Sequence, residues 1–562
     1  MRLTASRSAV ADFLPFFGPF RLKLFEVALF LLLKLASDLV VPFGTKVLID
    51  EVIPAHGGAK LAMWCAVVFG AFAVGSFATY RWSVVSGIVA GRVLGAIRLR
   101  CLEQVHALSV RYHARTTSGD LLALFTGDVE KLGSIVERVL PALAFEGTSL
   151  VVIAAVAIRL NGWLALLVLS VGAPLFAFMY FATNERLGRA SRALADDEAA
   201  LTAVAAEQIR NQLPIKALTL EAWAKGAFSA RQEGVLARRA LVVRLGALLG
   251  AGSVFVFNGM RFLVLGLGSF LVVRGSLTTG SLVAFFTLVG GLIAPFVTIA
   301  EQYGELKLAQ GALDRLGAFL RERPEPDPGR EMLDSLSRDI RIERVTVRHS
   351  DEHEALSGVS LTIPKGAFVA LTGPSGSGKS TLLGLLSRLY DPDDGAVRFD
   401  DVDLRRVTLE SLRSQIAFVP QSPLLFNVTV EENVRLGRLS ATSQDVSSAL
   451  MDAGFDTVRE LGDLGSRSLA GEQGARLSGG QAQRVAVARA FVRGASLVLV
   501  DEATSALDAE AERAVLDALG RLQARGATVV FSTHRAAVVE RANIVVSLDS
   551  GHIVEVLTSR RL

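Results

Sequence analysis

Cysteine is almost absent from this chain of 562 residues, which contains only Cys65 and Cys101. Two cysteines cannot build the disulfide framework of a small secreted domain, so packing and the surrounding solvent must stabilise the fold. Charged residues are also few, at 20% of the sequence, whereas hydrophobic residues make up 51%. This balance excludes an intrinsically disordered chain. It also argues against a wholly soluble protein, because so much apolar surface needs lipid to cover it.

A large excess of one charge is missing as well, since the formal net charge is only +4 at pH 7. A basic balance can indicate nucleic-acid binding, but Lys and Arg also flank membrane helices on their cytoplasmic side. We favour the second interpretation and expect no nucleic-acid partner.

Long hydrophobic runs are abundant in the first half of the chain. Runs without a charged residue cover 61–80, 160–184 and 275–300. A helix needs about 20 apolar residues to cross the hydrocarbon core, so each run is long enough. We therefore expect a clear membrane span at each of these places.

Three weaker runs, at 24–45, 140–158 and 245–273, bring the expected number of spans to about six. The first of them starts too late for a cleaved signal peptide, so we expect it to be retained. Ionisable residues within spans are candidates for a functional role, as cavity-lining or interhelical groups. These residues are Lys34, Asp38, Glu146 and Arg261, with the polar Asn258 close to Arg261 in the sequence.

The orientation of the spans follows from the polar segments between them. The segments 83–138 and 184–244 together contain seventeen Lys and Arg residues. The positive-inside rule places both segments in the cytoplasm. Their apolar residues recur every three or four positions, so the helices continue well beyond the bilayer.

The composition changes after residue 322. Proline, glycine and charged residues cluster at 323–329, and we interpret 323–338 as a linker between a transmembrane domain, 1–322, and a second domain, 339–562. In the second domain short β-branched runs alternate with helical patterns. This alternation predicts an α/β fold with a largely parallel sheet.

A phosphate-binding loop follows the strand predicted at 368–371. The octapeptide satisfies G-x-x-x-x-G-K-[ST] between a strand and a helix, so its backbone N–H groups and the helix N-terminus point at phosphate oxygens. Lys379 supplies charge for the β and γ phosphates of ATP, and the Ser380 hydroxyl is a ligand for Mg²⁺. The loop consists of Gly373, Pro374, Ser375, Gly376, Ser377, Gly378, Lys379 and Ser380, with Thr381 next in the helix.

An acidic pair, Asp501 and Glu502, ends the apolar run 497–500. A carboxylate at the end of a buried strand holds the metal in enzymes with such a loop, and this role fits Asp501. Glu502 points in a different direction and can polarise an attacking water. The alternative is that the pair simply caps the next helix.

With these motifs in place, the chain resembles the ATP-binding cassette (ABC) proteins. Leu477-Ser478-Gly479-Gly480-Gln481 matches the family's signature peptide and lies before Asp501, as the family's order requires. The remaining motifs follow the same order. They are the Q-loop residue Gln421, the D-loop residue Asp508 and the switch residue His534.

The resemblance implies a role for each motif. Ser478, Gly479, Gly480 and Gln481 would bind the γ-phosphate of a nucleotide held by another copy of the domain. His534 and Gln421 would contact the γ-phosphate and the metal, and both would assist Glu502. Two cassettes would then pair head to tail around two ATP molecules.

One position departs from the family pattern. The aromatic residue that stacks on adenine is usually a tyrosine, and the matching residue here is His349. Imidazole offers a smaller stacking face, so we expect looser recognition of the base.

The membrane half also resembles the family, and spans fused ahead of one cassette are typical of a half-size exporter with the type IV fold. The resemblance implies an ATP-hydrolysing homodimer, or a pair with a related half-transporter, in a bacterial inner membrane with its cassettes in the cytoplasm. Cytoplasmic turns near 113–119 and 211–220 would dock on the cassettes. We expect export of an amphipathic substrate such as a lipid, drug, peptide or conjugate. The alternative is an ATP-gated regulator or channel that moves no cargo.

Overall fold

The computed structural model describes residues 13–350, 353–505 and 507–558. It separates into two compact units. The N-terminal unit extends to Glu322 except for 107–117, and that short segment belongs with the C-terminal unit that begins at Arg323. The domain boundary expected at 322/323 stays a prediction. The packing of 107–117 with the later residues was not expected from the sequence.

The N-terminal unit is built from long helices. Their apolar residues form a core centred on Phe285, Leu292 and Leu164, all of them fully buried. The helices of this unit and the segment 107–117, in chain order, are α1 (Arg21–Val47), α2 (Gly58–Ala107), α3 (Val110–Arg115), α4 (Ser118–Ala123), α5 (Val129–Ser134), α6 (Leu140–Leu167), α7 (Ala173–Arg210), α8 (Gln212–Ala217), α9 (Glu221–Val273) and α10 (Thr279–Leu320). Short 3₁₀ or π turns cover Leu14–Phe20, Leu48–Val52, Leu124–Asp128, Ile135–Val139 and Val168–Gly172.

Within the described part of the chain, four helical runs are long and apolar enough to cross a membrane: Gly58–Ala107, Ser118–Arg210, Glu221–Val273 and Thr279–Ile299. The second run is broken at Asn161, whose backbone leaves helical geometry (φ −160°, ψ 101°). The Asn161 side chain accepts a hydrogen bond from the Leu164 N–H at 3.0 Å, so it caps a new helix. This break separates the spans expected at 140–158 and 160–184. Helix α1 is not among the four runs, so the charged first span at 24–45 stays a prediction.

Asp50, in the turn that follows α1, contacts the start of α10. Its carboxylate accepts hydrogen bonds from the Thr278 hydroxyl at 2.5 Å and the Gly280 N–H at 2.7 Å, at the start of α10. A Cβ at Gly280 would lie 2.6 Å from the Asp50 carboxyl carbon, so only glycine permits this approach. An acidic side chain at a helix N-terminus also interacts favourably with the helix dipole.

The C-terminal unit contains two sheets. The antiparallel sheet has the strand order β2-β1-β4-β5, and the other sheet has the order β10-β9-β3-β8-β7-β6. Strands β3, β7 and β8 pair in parallel and are almost wholly buried, as apolar strands covered on both faces must be. The strands are β1 (Asp339–Ser350), β2 (His353–Pro364), β3 (Phe368–Thr372), β4 (Asp394–Phe399), β5 (Val402–Asp403), β6 (Ile416–Val419), β7 (Leu497–Asp501), β8 (Thr528–Ser532), β9 (Ile544–Asp549) and β10 (His552–Thr558).

Helices follow the parallel strands, which confirms the α/β organisation expected for this half. The helices are α11 (Lys379–Leu386), α12 (Leu409–Ser414), α13 (Val430–Arg435), α14 (Ser443–Asp452), α15 (Thr457–Leu461), α16 (Gly479–Arg493), α17 (Ala509–Ala524) and α18 (Ala536–Arg541), with 3₁₀ turns at Leu404–Arg406, Gly462–Arg467 and Glu472–Gly474.

Within the C-terminal unit, Glu325 joins three parts of the chain. Its backbone N–H donates to the Ala107 carbonyl at 2.6 Å, at the end of α2. Its carboxylate accepts two hydrogen bonds from the Arg413 guanidinium, at 2.9 and 2.7 Å. We call this arrangement the Glu325 clamp. It holds the 107–117 segment and the start of the linker on α12.

Candidate active site

The phosphate-binding loop connects β3 to α11 and depends on its glycines. Gly373 has φ +140°, and a Cβ there would lie 2.0 Å from the Leu548 carbonyl oxygen. Gly378 has φ +102°, and a Cβ there would lie 2.6 Å from the Ala355 carbonyl oxygen. Both positions combine a left-handed backbone with a close approach, so no other residue fits. Of the remaining loop residues, Pro374, Ser375 and Gly376 are at least partly exposed, whereas the Ser377 hydroxyl is buried without a hydrogen-bond partner.

Lys379 begins α11 inside this loop. Its ammonium donates to the carbonyls of Gly373 and Pro374, at 2.8 and 2.9 Å. Burial lowers the pKa of Lys379, and the negative charges of Glu502 and Asp501 partly oppose that effect. A phosphate would provide the counter-charge that this buried cation lacks in its direct contacts.

Asp501 lies at the end of β7, beside the phosphate-binding loop. Its Oδ1 accepts one hydrogen bond from the Ser380 hydroxyl at 3.1 Å and another from the Ser532 hydroxyl at 2.5 Å. Two of the three residues expected to hold the metal, Ser380 and Asp501, are therefore in direct contact, whereas the third, Gln421, contacts Glu502. Thr381, next in α11, is buried and its carbonyl accepts a hydrogen bond from the Tyr390 hydroxyl.

Glu502 brings the remaining predicted catalytic residues together. Its carboxylate contacts His534 Nε2 at 3.0 Å through Oε1 and the Gln421 side-chain amide at 3.2 Å through Oε2. Glu502 has φ +43°, which is strained for a residue with a side chain. Its backbone N–H is held by both the carbonyl and the hydroxyl of Ser532, each at 3.1 Å. Gln421 thus contacts the carboxylate expected to activate water.

The signature peptide forms the start of α16. Ser478 and Gln481 make a reciprocal capping box, with the Ser478 Oγ accepting from the Gln481 N–H and the Gln481 Oε1 accepting from the Ser478 N–H at 2.8 Å. Gly479 is open, whereas a Cβ at Gly480 would lie 2.8 Å from the Ala511 Cβ. Gly480 is therefore required for close packing of α16 on α17, apart from any role in phosphate binding.

Asp508 and His349 are the two other positions predicted to contact nucleotide. Asp508 caps α17, accepting a hydrogen bond from the Ala511 N–H at 2.8 Å, so it has a structural role whether or not it also contacts nucleotide. His349 lies in β1, but its side chain falls outside the described part of the structure. The same is true of Ala506 in the D-loop.

The residues present fit ATP and Mg²⁺. The loop offers an unsatisfied buried hydroxyl at Ser377, and at Gly376 the position of a Cβ faces open space. Among the described residues there is no cluster of three His, Cys, Asp or Glu residues that would hold a metal ion by itself. Mg²⁺ does not require one, because it binds through one or two protein oxygens, waters and the phosphates of its nucleotide. Ser380 and Asp501 provide such oxygens.

Sequence reasoning missed Ser532 and Tyr390. Ser532 is fully buried, and the pairing of β7 with β8 places it opposite Asp501. A polar residue ending an apolar strand is the available signal, but its partner depends on strand order. Burial raises the pKa of Tyr390 to about 12, and a Cβ at Gly384 would lie 2.3 Å from its hydroxyl. Tyr390 thus packs tightly against α11.

The ionisable residues of the spans fall into two groups. Lys34 and Asp38 pair along α1 at 2.5 Å, and Glu26 pairs with Lys23 at 2.8 Å and also with Arg81. Arg261 instead stacks on aromatic rings, with its guanidinium carbon 4.2 Å from the Phe286 centroid. Among the described residues, Arg261 and Glu146 form no ion pair.

Two family models match the chain. The model described as ABC transporter transmembrane region matches residues 24–296, and the model described as ABC transporter matches residues 356–505. The second match contains the phosphate-binding loop, the signature peptide and the acidic pair at the end of β7.

Curated relatives match over most of their length. The protein named ATP-dependent lipid A-core flippase from Chromohalobacter salexigens is 31% identical over 496 residues, which cover 87% of this chain and 84% of that one. The protein of the same name from Salmonella typhimurium is 29% identical over 544 residues, which cover 96% and 93%. A solved structure, described as a bacterial Atm1-family ABC exporter with ATP bound, superposes with a TM-score of 0.83 at 23% identity over 96% of this chain and 95% of that one. This last similarity shows the fold.

Proposed function

This chain belongs to the ABC transporter family and is an ATP-hydrolysing, multi-pass membrane exporter of an amphipathic substrate, and from that premise we propose that it acts as a homodimer that moves an anionic lipid out of the inner leaflet of a bacterial inner membrane. Family membership and ATP-driven export, both predicted from the motifs, are confirmed. The proposal adds the class of substrate, the metal, the oligomeric state and the role of each site residue.

The contact of Glu502 with both His534 and Gln421 is the observation that carries the catalytic part of the proposal. Glu502 would polarise the attacking water, and His534 and Gln421 would orient it. Lys379 would bind the β and γ phosphates. Mg²⁺, held by Ser380 and Asp501, would supply positive charge next to those phosphates.

The proposed homodimer follows from the presence of every motif in one chain. Two copies provide two complete sites if the phosphate-binding loop of one faces the signature peptide of the other. The start of α16 supports this arrangement, because its capping box uses the N–H groups of Ser478 and Gln481, and those of Gly479 and Gly480 make no hydrogen bond to the described residues. Free N–H groups at a helix start form an anion-binding site. An intact Glu502 disfavours the alternative of a regulator or channel that moves no cargo.

Transport then follows from a shift between two states. ATP can favour the outward-open state only through contacts that it makes better there, between the paired cassettes. Hydrolysis removes those contacts and lets the cassettes part. The Glu325 clamp supports transmission of this movement, because it fastens the end of α2 to the cassette.

The choice of an anionic lipid rests on Arg261 and on the relatives. Arg261 lies twelve residues before the end of α9, which places it about 18 Å below that end and near mid-membrane. A cation at this depth is costly, and aromatic rings stabilise it only in part. An anionic headgroup would complete its stabilisation. Relatives named as lipid A-core flippases support a lipid with such a headgroup.

The test is transport by the full chain in proteoliposomes. We expect anionic lipids to stimulate ATP hydrolysis and to be moved between leaflets only when ATP and Mg²⁺ are present, with no stimulation by neutral drugs or cationic peptides. Substituting Arg261→Ala should abolish stimulation by anionic lipids while basal hydrolysis remains.

Arg274→Ala is the matched control, because Arg274 also stacks on an aromatic ring, Phe270 at 4.5 Å, but ends the helix. Equal stimulation of the Arg261→Ala variant and the wild type would refute the substrate proposal. ATP-independent lipid movement at the full rate would refute the proposed coupling.

A further inference from the structure

Ser532 is the buried residue that contacts both acidic residues of the proposed hydrolytic site. It is fully buried at the end of β8, a strand that is otherwise apolar apart from Thr528. Its hydroxyl donates to Asp501 Oδ1 at 2.5 Å and accepts from the Glu502 N–H at 3.1 Å. One hydroxyl therefore holds the side chain of one acidic residue and the backbone of the next.

The register of the sheet makes these contacts possible. Asp501 and Ser532 are directly paired across the parallel strands β7 and β8. Side chains of paired residues leave the same face of a sheet, so the serine hydroxyl reaches the neighbouring carboxylate without bending either strand. An aliphatic residue at position 532 would offer no such hydrogen bond.

The two carboxylate oxygens of Asp501 differ in their hydrogen bonds. Oδ1 accepts hydrogen bonds from both Ser532 and Ser380. Oδ2 makes no hydrogen bond to any residue in the described part of the chain, so it is the oxygen available to a metal or its water. By fixing Oδ1, Ser532 fixes where Oδ2 points.

Glu502 benefits from the same hydroxyl. Its left-handed backbone, at φ +43°, needs support, and Ser532 provides it through both the hydroxyl and the carbonyl oxygen. Loss of the hydroxyl alone would leave the carbonyl bond in place. Substituting the serine therefore tests positioning without leaving a buried N–H unpaired.

We propose that Ser532 is a positioning residue that orients Asp501 toward Mg²⁺ and holds Glu502 in register with it. The inference rests on the proposed roles of Asp501 and Glu502. Residues that orient metal ligands typically change metal affinity or activity by about 10- to 100-fold when they are removed.

The experiment compares Ser532→Ala, Ser532→Thr and Ser532→Val in the reconstituted full chain. Two quantities are measured: the Mg²⁺ concentration for half-maximal hydrolysis, and the tightening by Mg²⁺ of the binding of fluorescent methylanthraniloyl-ATP. We expect the alanine and valine variants to need about tenfold more Mg²⁺ and to lose most of the tightening, with binding in EDTA unchanged. Threonine retains a hydroxyl and should restore both quantities.

Ser387→Ala is the control for loss of a buried hydroxyl, because the Ser387 hydroxyl donates only to backbone carbonyls within its own helical turn, at 3.0 and 3.1 Å. If Ser532→Ala does not fold, the threonine and valine pair decides, since the two side chains have nearly the same shape. Equal Mg²⁺ dependence of that pair would overturn the inference.

Asp501→Asn separates this inference from the proposed function. If Asp501→Asn leaves the Mg²⁺ dependence unchanged, the assignment of the metal carboxylate is wrong. If it weakens Mg²⁺ binding while all three Ser532 variants behave like the wild type, only the role of Ser532 is refuted.

Discussion

The proposed hydrolytic site depends on individual side chains at the end of β7. Glu502 combines a strained backbone with contacts to His534 and Gln421, so its carboxylate is held in one place before nucleotide arrives. Strain of this kind persists only where the surrounding structure enforces it. Preorganisation of this sort is typical of a hydrolytic site.

Replacing Glu502 with Gln tests this residue. The amide keeps the size of the side chain but cannot polarise water, so we expect hydrolysis to fall by about 100-fold or more while ATP binding persists. Phosphate release and binding of a fluorescent nucleotide measure the two effects. Glu410→Gln, at an exposed glutamate in the first turn of α12, is the control. Unimpaired hydrolysis by the Glu502→Gln variant would show that another group activates the water.

The raised pKa of Tyr390 predicts that the folded protein loses stability at alkaline pH. Burial raises its pKa from 10.0 to about 12, so the folded state favours the neutral phenol. This contribution to stability is complete below pH 10 and is lost as the pH rises toward 12. It amounts to at most about 3 kcal/mol. We expect the wild type to lose this stability between pH 10 and 12, whereas Tyr390→Phe should not.

Thermal unfolding of the two detergent-solubilised proteins at pH 8, 10 and 11 measures the difference. The variant lacks the hydrogen bond from the hydroxyl to the Thr381 carbonyl, so it starts less stable at pH 8. The gap between the proteins should then narrow as the pH rises. A constant gap would contradict the prediction.

At the scale of elements, the Glu325 clamp joins a helix end, the linker and α12. The Arg413 guanidinium forms two parallel hydrogen bonds with the Glu325 carboxylate, an arrangement stronger than a single surface ion pair. Glu331 pairs with Arg406 at an exposed position, with the arginine side chain 70% exposed.

These two glutamates form a matched pair for mutation. Glu325→Ala should cost about 1 to 2 kcal/mol and lower the Tm by a few degrees, because it removes a bidentate charged pair. It should also reduce lipid transport per ATP hydrolysed. Glu331→Ala removes an exposed pair and should cost less than about 1 kcal/mol. If both variants transport equally well, the clamp does not transmit the movement.

Short motifs could be predicted from the sequence because their chemistry is local. The phosphate-binding loop, the signature peptide and the acidic pair each act through a few adjacent residues. Ser532 could not be found in this way, because its partner is set by the pairing of β7 with β8. The packing of 107–117 with the C-terminal unit depends likewise on contacts between distant parts of the chain. The spans were predictable from hydrophobicity, but the cap at Asn161 that separates two of them was not.

For the whole molecule, the proposal that each nucleotide site is shared between two chains can be tested by combining two inactive variants. Lys379→Ala damages the phosphate-binding loop, and Ser478→Arg damages the signature peptide, so each variant alone should be inactive. When the two chains are co-expressed, one site of each mixed dimer combines two intact motifs. We expect activity to return to about one quarter of the wild type, since half of the dimers are mixed and one of their two sites is complete.

Phosphate release from the co-purified chains measures this recovery. Mixing after purification, in detergent that prevents subunit exchange, is the control and should give none. Failure of co-expressed chains to recover would mean that each site is built within one chain.

Because α2 is long, a small displacement of its end at Ala107 corresponds to a tilt of its membrane part. About 40 Å of continuous helix separates the end of the apolar run at residue 80 from Ala107. A stiff helix of that length acts as a lever, because a tilt of about 5° at residue 80 moves Ala107 by about 3.5 Å. A stiff α2 thus makes large displacements at the nucleotide unnecessary. A proline introduced between residues 80 and 107 would let ATP hydrolysis continue while the helix bends and transport is lost.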